Sequence, residues 1–147
     1  MTSSPGSPVT VLYTAVAHAI GDGRNGHVRT DDGFVDADVR VPKELGGSGG
    51  ATNPEQLFAA GYAACFHSAL KLVAGADKLD VSESEVSASV GIGTNASGGF
   101  GLTVELDVYV PTLERTAAEA LVGTAHTVCP YSNATRGNID VVLRVIE

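Results

Sequence analysis

Basic residues are scarce in this chain: nine lysines and arginines stand against 17 aspartates and glutamates, a formal net charge of −8. There is no basic run, and aromatics make up only 5% of the residues, so the footprint of a nucleic-acid binder is missing. The acidic balance also repels anionic membrane surfaces, while it says little about a small neutral substrate. The opening segment MTSSPGSPVT has neither the positive charge nor the apolar core of a secretory signal. Residues 1–8 read as a flexible tail, and a cytoplasmic location is expected. In that compartment a persistent structural disulfide is not expected. The chain has two cysteines, Cys65 and Cys129. They read as buried thiols, metal ligands or redox groups.

What is present in quantity is apolar: 44% of 147 residues, enough for one domain, 1–147, with a real core. Residues 9–20 are rich in β-branched side chains and read as a first strand. HVRT at 27–30 follows, then the hairpin dipeptide Asp32-Gly33. In 34–41, Val35, Ala37, Val39 and Val41 alternate with charged residues, as in a half-buried strand. Together these segments predict an N-terminal antiparallel meander. The Gly-rich stretch after Pro42 lacks the Gly-Lys-Ser/Thr of a phosphate loop and reads as a mobile connection. Asn53, Pro54 and Gln56 then form a helix-start signature of N-cap, first-turn proline and capping box.

From Leu57 to Ala74 the helix is apolar on nearly every face. It is long for a core helix, but Ala and Gly dominate it, and His67 and Lys71 interrupt it. It therefore reads as a central helix covered all round by sheet or by a second subunit. Residues 86–93 and 100–110 alternate strictly around the turn TNASGG. A second helix over 113–128 carries the stripe Ala117, Ala118, Leu121, Ala125, Val128, and Pro130 ends it at Cys129. YSNATRGN is a turn or short helical piece, and IDVVLRVIE is a last strand. The order is β-β-β-α-β-β-α-β, an α+β fold of antiparallel sheets with two helices.

Several roles stay open for the cysteines. Positions i and i+2 of a helix lie about 200° apart, so Cys65 and His67 cannot share an ion. His126 and Cys129 do share a face, which leaves at most Cys65, His126 and Cys129, short of the four ligands of a closed zinc site. A core role suits Cys65, because free cysteine packs as a small hydrophobe. It suits Cys129 less well, since a helix exit before proline is a backbone boundary and is expected near the surface. His67 reads as a hydrogen-bonded core histidine. A redox role needs an ionised thiol with a cation beside it, a second thiol within disulfide reach, and access for an oxidant. Arg24, Arg29, Arg40, Arg136 and Arg144 are candidate cations, and spacing does not choose among them.

NPEQLFAAGYAACFHSAL, GIGTNASGGFGLTVEL and VCPYSNATRGNIDV closely resemble the organic hydroperoxide resistance (Ohr) family of the OsmC superfamily. LYTAVA, GRNGHV and PKELGG extend the likeness over about Leu12 to Val145. The resemblance implies an OsmC-like fold, an interwoven homodimer, and a thiol peroxidase reducing organic hydroperoxides to alcohols. It also implies recycling by a lipoylated dithiol protein, with no metal and no bound organic cofactor. Residue by residue, Cys65 matches the peroxidatic cysteine and Cys129 the resolving one. Arg24 matches the arginine that stabilises the thiolate, and Glu55 the glutamate that holds that arginine. Ten residues separate Glu55 from Cys65, about 15 Å along a straight helix. The expectation is therefore that each site draws on two chains or that the helix bends near Gly61. An OsmC-type peroxidase of different substrate preference, or a thiol redox sensor or ligand-binding domain, are the alternative readings.

Overall fold

The structure, a computed structural model, describes residues 8–147, so all but the last residue of the expected tail lies outside the described residues. Two compact units are present, one ending at Asn53 and one spanning Pro54–Glu147.

The first unit holds the expected meander. Strands β1 (Ala17–Ile20), β2 (His27–Thr30) and β3 (Asp36–Asp38) pair antiparallel in that order. Asp32 caps the β2–β3 turn, accepting bonds from the Thr30 hydroxyl (2.7 Å) and the Phe34 amide (3.0 Å). Gly33 there takes φ +77°, a conformation glycine adopts at no steric cost. Both outer strands are shorter than expected, because a strand ends where its partner does. β2 turns away after Thr30, so only the last four residues of 9–20 join the ladder. At the other edge Val39 leaves β2 for an isolated parallel bridge to Thr52.

The second unit begins with α1 (Pro54–Ala76), which runs through Gly61 without interruption. Strands β4 (Glu85–Thr94) and β5 (Phe100–Tyr109) form the expected hairpin, in register from Glu85↔Tyr109 to Thr94↔Phe100. Helices α2 (Arg115–Val128) and α3 (Pro130–Thr135) then lead to β6 (Val141–Ile146). The element order matches the expectation, with one difference in pairing: β6 lies parallel to β5, not antiparallel. The helical crossover returns the chain to the start of the sheet, which a parallel strand requires.

Tyr62, Phe66, Ala69, Leu70 and Ala74 form one buried stripe of α1, which lies against β4 and α2 and shares one core with Leu106 and Val108 of β5 and Ala118, Leu121 and Ala125 of α2. Each large side chain so covered contributes about 1.5–3 kcal/mol. The face of α2 is rotated slightly from expectation: Val122 is buried, whereas Val128 is 40% exposed. Among the described residues α1 is not covered all round. Leu57, Ala60, Ala64, Ser68 and Leu72 face outward, Leu72 with 68% exposure. By length and composition α1 could also cross a membrane. Its buried stripe instead has the sheet and α2 as partners.

Candidate thiol site

Cys65 lies in the middle of α1, half-buried, and packs against the core from the edge of its stripe. Cys129 is the single residue between α2 and α3, with an extended backbone (φ −60°, ψ 122°) that serves as C-cap of one helix and N-cap of the next. Its N–H donates to the Ala125 carbonyl and its carbonyl accepts from the Asn133 amide, both at 2.9 Å, so the corner is fixed on both sides. The two sulfurs are 3.6 Å apart, with both cysteines free. Closing that gap to the ~2.05 Å of a disulfide takes a movement of about 1.5 Å.

The exposures reverse the expectation. Cys129 is fully buried and Cys65 is the more accessible thiol. Pro130 does end α2, but α3 starts at once and folds its own buried residues, Ser132 and Thr135, under the corner. The proline rule concerns the backbone and does not say where the Cβ points.

Burial is the main influence on the Cys65 thiol and pushes its pKa up. The backbone N–H of Tyr131 pulls it down by donating to the sulfur, while the nearby Cys129 raises it further. One turn before Cys65, Gly61 allows a close approach of Tyr131 to the helix. A Cβ on Gly61 would sit 3.0 Å from the Tyr131 hydroxyl, so the tyrosine ring lies directly on the helix backbone. Phe58, Tyr62 and Tyr131 form an aromatic group with centroids 5.6–6.0 Å apart. Phe66 and Leu70, on the same helix as Cys65, are fully buried core residues.

A buried polar chain runs behind the thiols. The Tyr62 hydroxyl lies 2.8 Å from Ser132 Oγ and 3.1 Å from Thr135 Oγ1, and Ser132 Oγ also lies 2.8 Å from His126 Nδ1. Burial, with Arg136 nearby, lowers the His126 pKa and favours its neutral form. His67, as expected, is a hydrogen-bonded histidine, 2.9 Å from Ser84 Oγ, and burial likewise lowers its pKa. Among the described residues no three His, Cys, Asp or Glu converge to hold a metal.

Arg24 belongs to the first unit, in a 3-10 turn over Gly23–Asn25 between β1 and β2. The turn is held from outside itself. The Arg40 guanidinium donates through Nη1 to the carbonyls of Asn25 (3.2 Å), Gly26 (2.9 Å) and Val39 (2.6 Å). Asn25 Oδ1 accepts in return from the Val41 amide at 3.2 Å. Glu55 is half-buried in the first turn of α1, ten residues before Cys65. Of the other candidate cations, Arg136 bonds the His126 carbonyl and Asn133, and Arg144 bridges Glu105 and Asp107 on the sheet. Sequence reasoning missed Arg40 as a clamp, Tyr62 and Ser132 as a buried pair, and the Tyr131 amide. The absence of any apolar reason for Ser132 and Thr135 to be conspicuous left no signal; only the fold brings them to Tyr62.

The model of the family described as OsmC-like protein matches residues 47–144. An organic hydroperoxide resistance protein of Xanthomonas axonopodis pv. citri (strain 306) is 57% identical over 139 residues, 93% of this chain and 96% of that protein. Organic hydroperoxide resistance protein OhrB of Bacillus subtilis (strain 168) is 48% identical over 137 residues, 91% of this chain and 98% of that protein. The crystal structure of an organic hydroperoxide resistance protein OsmC from Legionella pneumophila superposes with a TM-score of 0.89 at 52% identity, covering 94% of this chain and 100% of that one.

Proposed function

This chain belongs to the organic hydroperoxide resistance proteins of the OsmC-like family, and from that footing we propose that it is a thiol-dependent peroxidase for alkyl and lipid hydroperoxides. The observation that carries the proposal is the sulfur pair: two free thiols 3.6 Å apart, one more accessible and one buried, brought together from α1 and the α2–α3 corner of one unit. In this reading the Cys65 thiolate attacks the distal oxygen of ROOH. The O–O bond breaks, ROH leaves after taking up a proton, and Cys65 becomes a sulfenic acid. Cys129 then displaces the sulfenic hydroxyl; its thiol proton leaves with that hydroxyl as water, and a Cys65–Cys129 disulfide remains. A dithiol such as a lipoylated protein supplies two electrons and two protons to reopen the bond by exchange.

The high pKa that burial imposes on Cys65 gives a cation a defined task. We assign that task to Arg24, oriented by Glu55, because a guanidinium stays charged and can serve a carboxylate and a thiolate together. Phe58 and Tyr131 offer apolar surface beside Cys65, which suits an alkyl peroxide better than hydrogen peroxide. The protein acts as a cytoplasmic homodimer in this account. The outward apolar face of α1 supports a second copy as its cover, and the roughly 15 Å between Glu55 and Cys65 on one helix supports sites shared between copies. The test is repeated turnover of tert-butyl or cumene hydroperoxide with dihydrolipoamide. A single stoichiometric oxidation without turnover would point to a redox sensor and refute the enzyme.

A further inference from the structure

Cys129 is held by more than its own backbone. Three residues before it, His126 sits in the last turn of α2; three residues after it, Ser132 sits in α3. The 2.8 Å contact between His126 Nδ1 and Ser132 Oγ therefore spans the corner like a tie. Arg136 adds a second tie, donating to the His126 carbonyl on one side and Asn133 Oδ1 on the other. Ser132 Oγ then meets the Tyr62 hydroxyl at 2.8 Å, and Tyr62 stands on α1 one turn before Cys65. Thr135 completes the chain with bonds to the Tyr62 hydroxyl and the Ser132 carbonyl. Tyr62 and Ser132 are fully buried, and no buried side-chain polar atom among the described residues is left unpartnered. A satisfied buried network of this kind fixes one arrangement of its elements, because loosening it strands polar groups away from water.

We propose that Tyr62, Ser132 and His126 are positioning residues for the resolving step, locking the α2–α3 corner onto α1 so that Cys129 meets the Cys65 sulfenic acid before a second peroxide does. The proposal rests on Cys65 being peroxidatic and Cys129 resolving. None of the three residues touches the reacting oxygen in this scheme. They act through Cys129, whose sulfur must close about 1.5 Å on that of Cys65. Slower closure leaves the sulfenic acid exposed to a second equivalent of peroxide, which carries it irreversibly to sulfinic acid with a gain of one further oxygen.

The test separates the two steps in the full-length protein. Tyr62→Phe removes one hydroxyl without changing the ring, and Ser132→Ala removes the central member of the chain. Stopped-flow measures the first oxidation by tert-butyl hydroperoxide; dimedone trapping and intact mass then measure sulfenic acid lifetime and sulfinic product. Both variants are expected to resolve about tenfold more slowly, the weight of roughly one hydrogen bond expressed as a rate, with the first step unchanged. Their double variant is expected to add little more, since both break one chain. Wild-type resolution in Tyr62→Phe overturns the proposal, as does equal slowing of both steps, which is the mark of general loosening. If wild-type Cys65 forms no trappable sulfenic acid at all, the peroxidase reading fails first, and that outcome is distinct.

Discussion

Replacing Gly26 by alanine tests how tightly the Arg24 turn is built. Gly26 has φ −110° and ψ −134°, outside the left-handed region, and its surroundings leave little space for a side chain. A Cβ there would lie 2.2 Å from the Ile20 carbonyl oxygen and 2.9 Å from the Asp22 nitrogen, both backbone atoms that cannot rotate away. Restoring ordinary contact needs a shift of roughly 1 Å, the regime in which overpacking costs about 1–3 kcal/mol. The shift pulls on three hydrogen bonds: Gly26 N–H to Gly23 O (3.0 Å), Val39 N–H to Gly26 O (3.0 Å), and Arg40 to Gly26 O (2.9 Å). At about 1 kcal/mol each, they give the same scale. Gly26→Ala is therefore expected to lose about 3 kcal/mol in urea unfolding at fixed protein concentration, with the Val39 amide losing hydrogen-exchange protection. A loss under about 0.5 kcal/mol, with Val39 still protected, would refute the reasoning and leave the turn free to absorb a side chain.

Other expectations bear on the chemistry and on pH. Cys65→Ser should abolish peroxide turnover, whereas Cys129→Ser should consume about one equivalent and then stall or overoxidise; mass spectrometry distinguishes the two, and an active Cys65→Ser would end the thiol mechanism. Arg24→Ala should raise the Cys65 pKa and move the pH profile of iodoacetamide alkylation upward; an unmoved profile assigns the cation elsewhere. His27 lies between Asp38 (2.8 Å) and Asp36 (2.5 Å), whose hydrogen bonds raise its pKa above 6.5. A raised histidine adds stability that is full below 6.5 and fades as pH climbs through the raised value. Asp38, held below 3.8 chiefly by the same bond, adds stability present above 3.8 that fades as pH falls through the lowered value. Proton NMR should place the His27 midpoint above 6.5 and return it toward that value in Asp38→Asn; a midpoint indifferent to the substitution would contradict the contact.

The long alternations at 86–93 and 100–110 and the apolar stripe of α2 were readable in sequence because their period and their burial come from the same sheet and helix faces. The N-terminal strands were overestimated, since β propensity says nothing about where a partner stops: β2 ends at Thr30 and its neighbours end with it. Cys129 marks the clearest limit. Pro130 announced a helix end, yet the depth of the cysteine comes from Tyr62, 70 residues from Ser132 in sequence, and no local rule reaches that far. Arg24 and Glu55 were distinguishable from other charged residues only through the family motifs they stand in. Arg40, one candidate among five, proved to be a clamp on the Arg24 turn, a role that depends on carbonyls fourteen and fifteen residues away.

The 64-residue separation of the two cysteines carries a consequence for the lifetime of the protein. Oxidation of the pair would close a loop of that length, and the loss of freedom in the unfolded chain is worth about 4 kcal/mol in the chain-entropy account. The bond would join α1 to the α2–α3 corner, tying the first element of the second unit to its last crossover. In the proposed peroxidase cycle the protein would alternate between a stapled form and an unstapled one, and the reduced form would be the one more open to unfolding and proteolysis. A cell short of reductant would accumulate inactive but durable protein, ready to resume work when dithiols return.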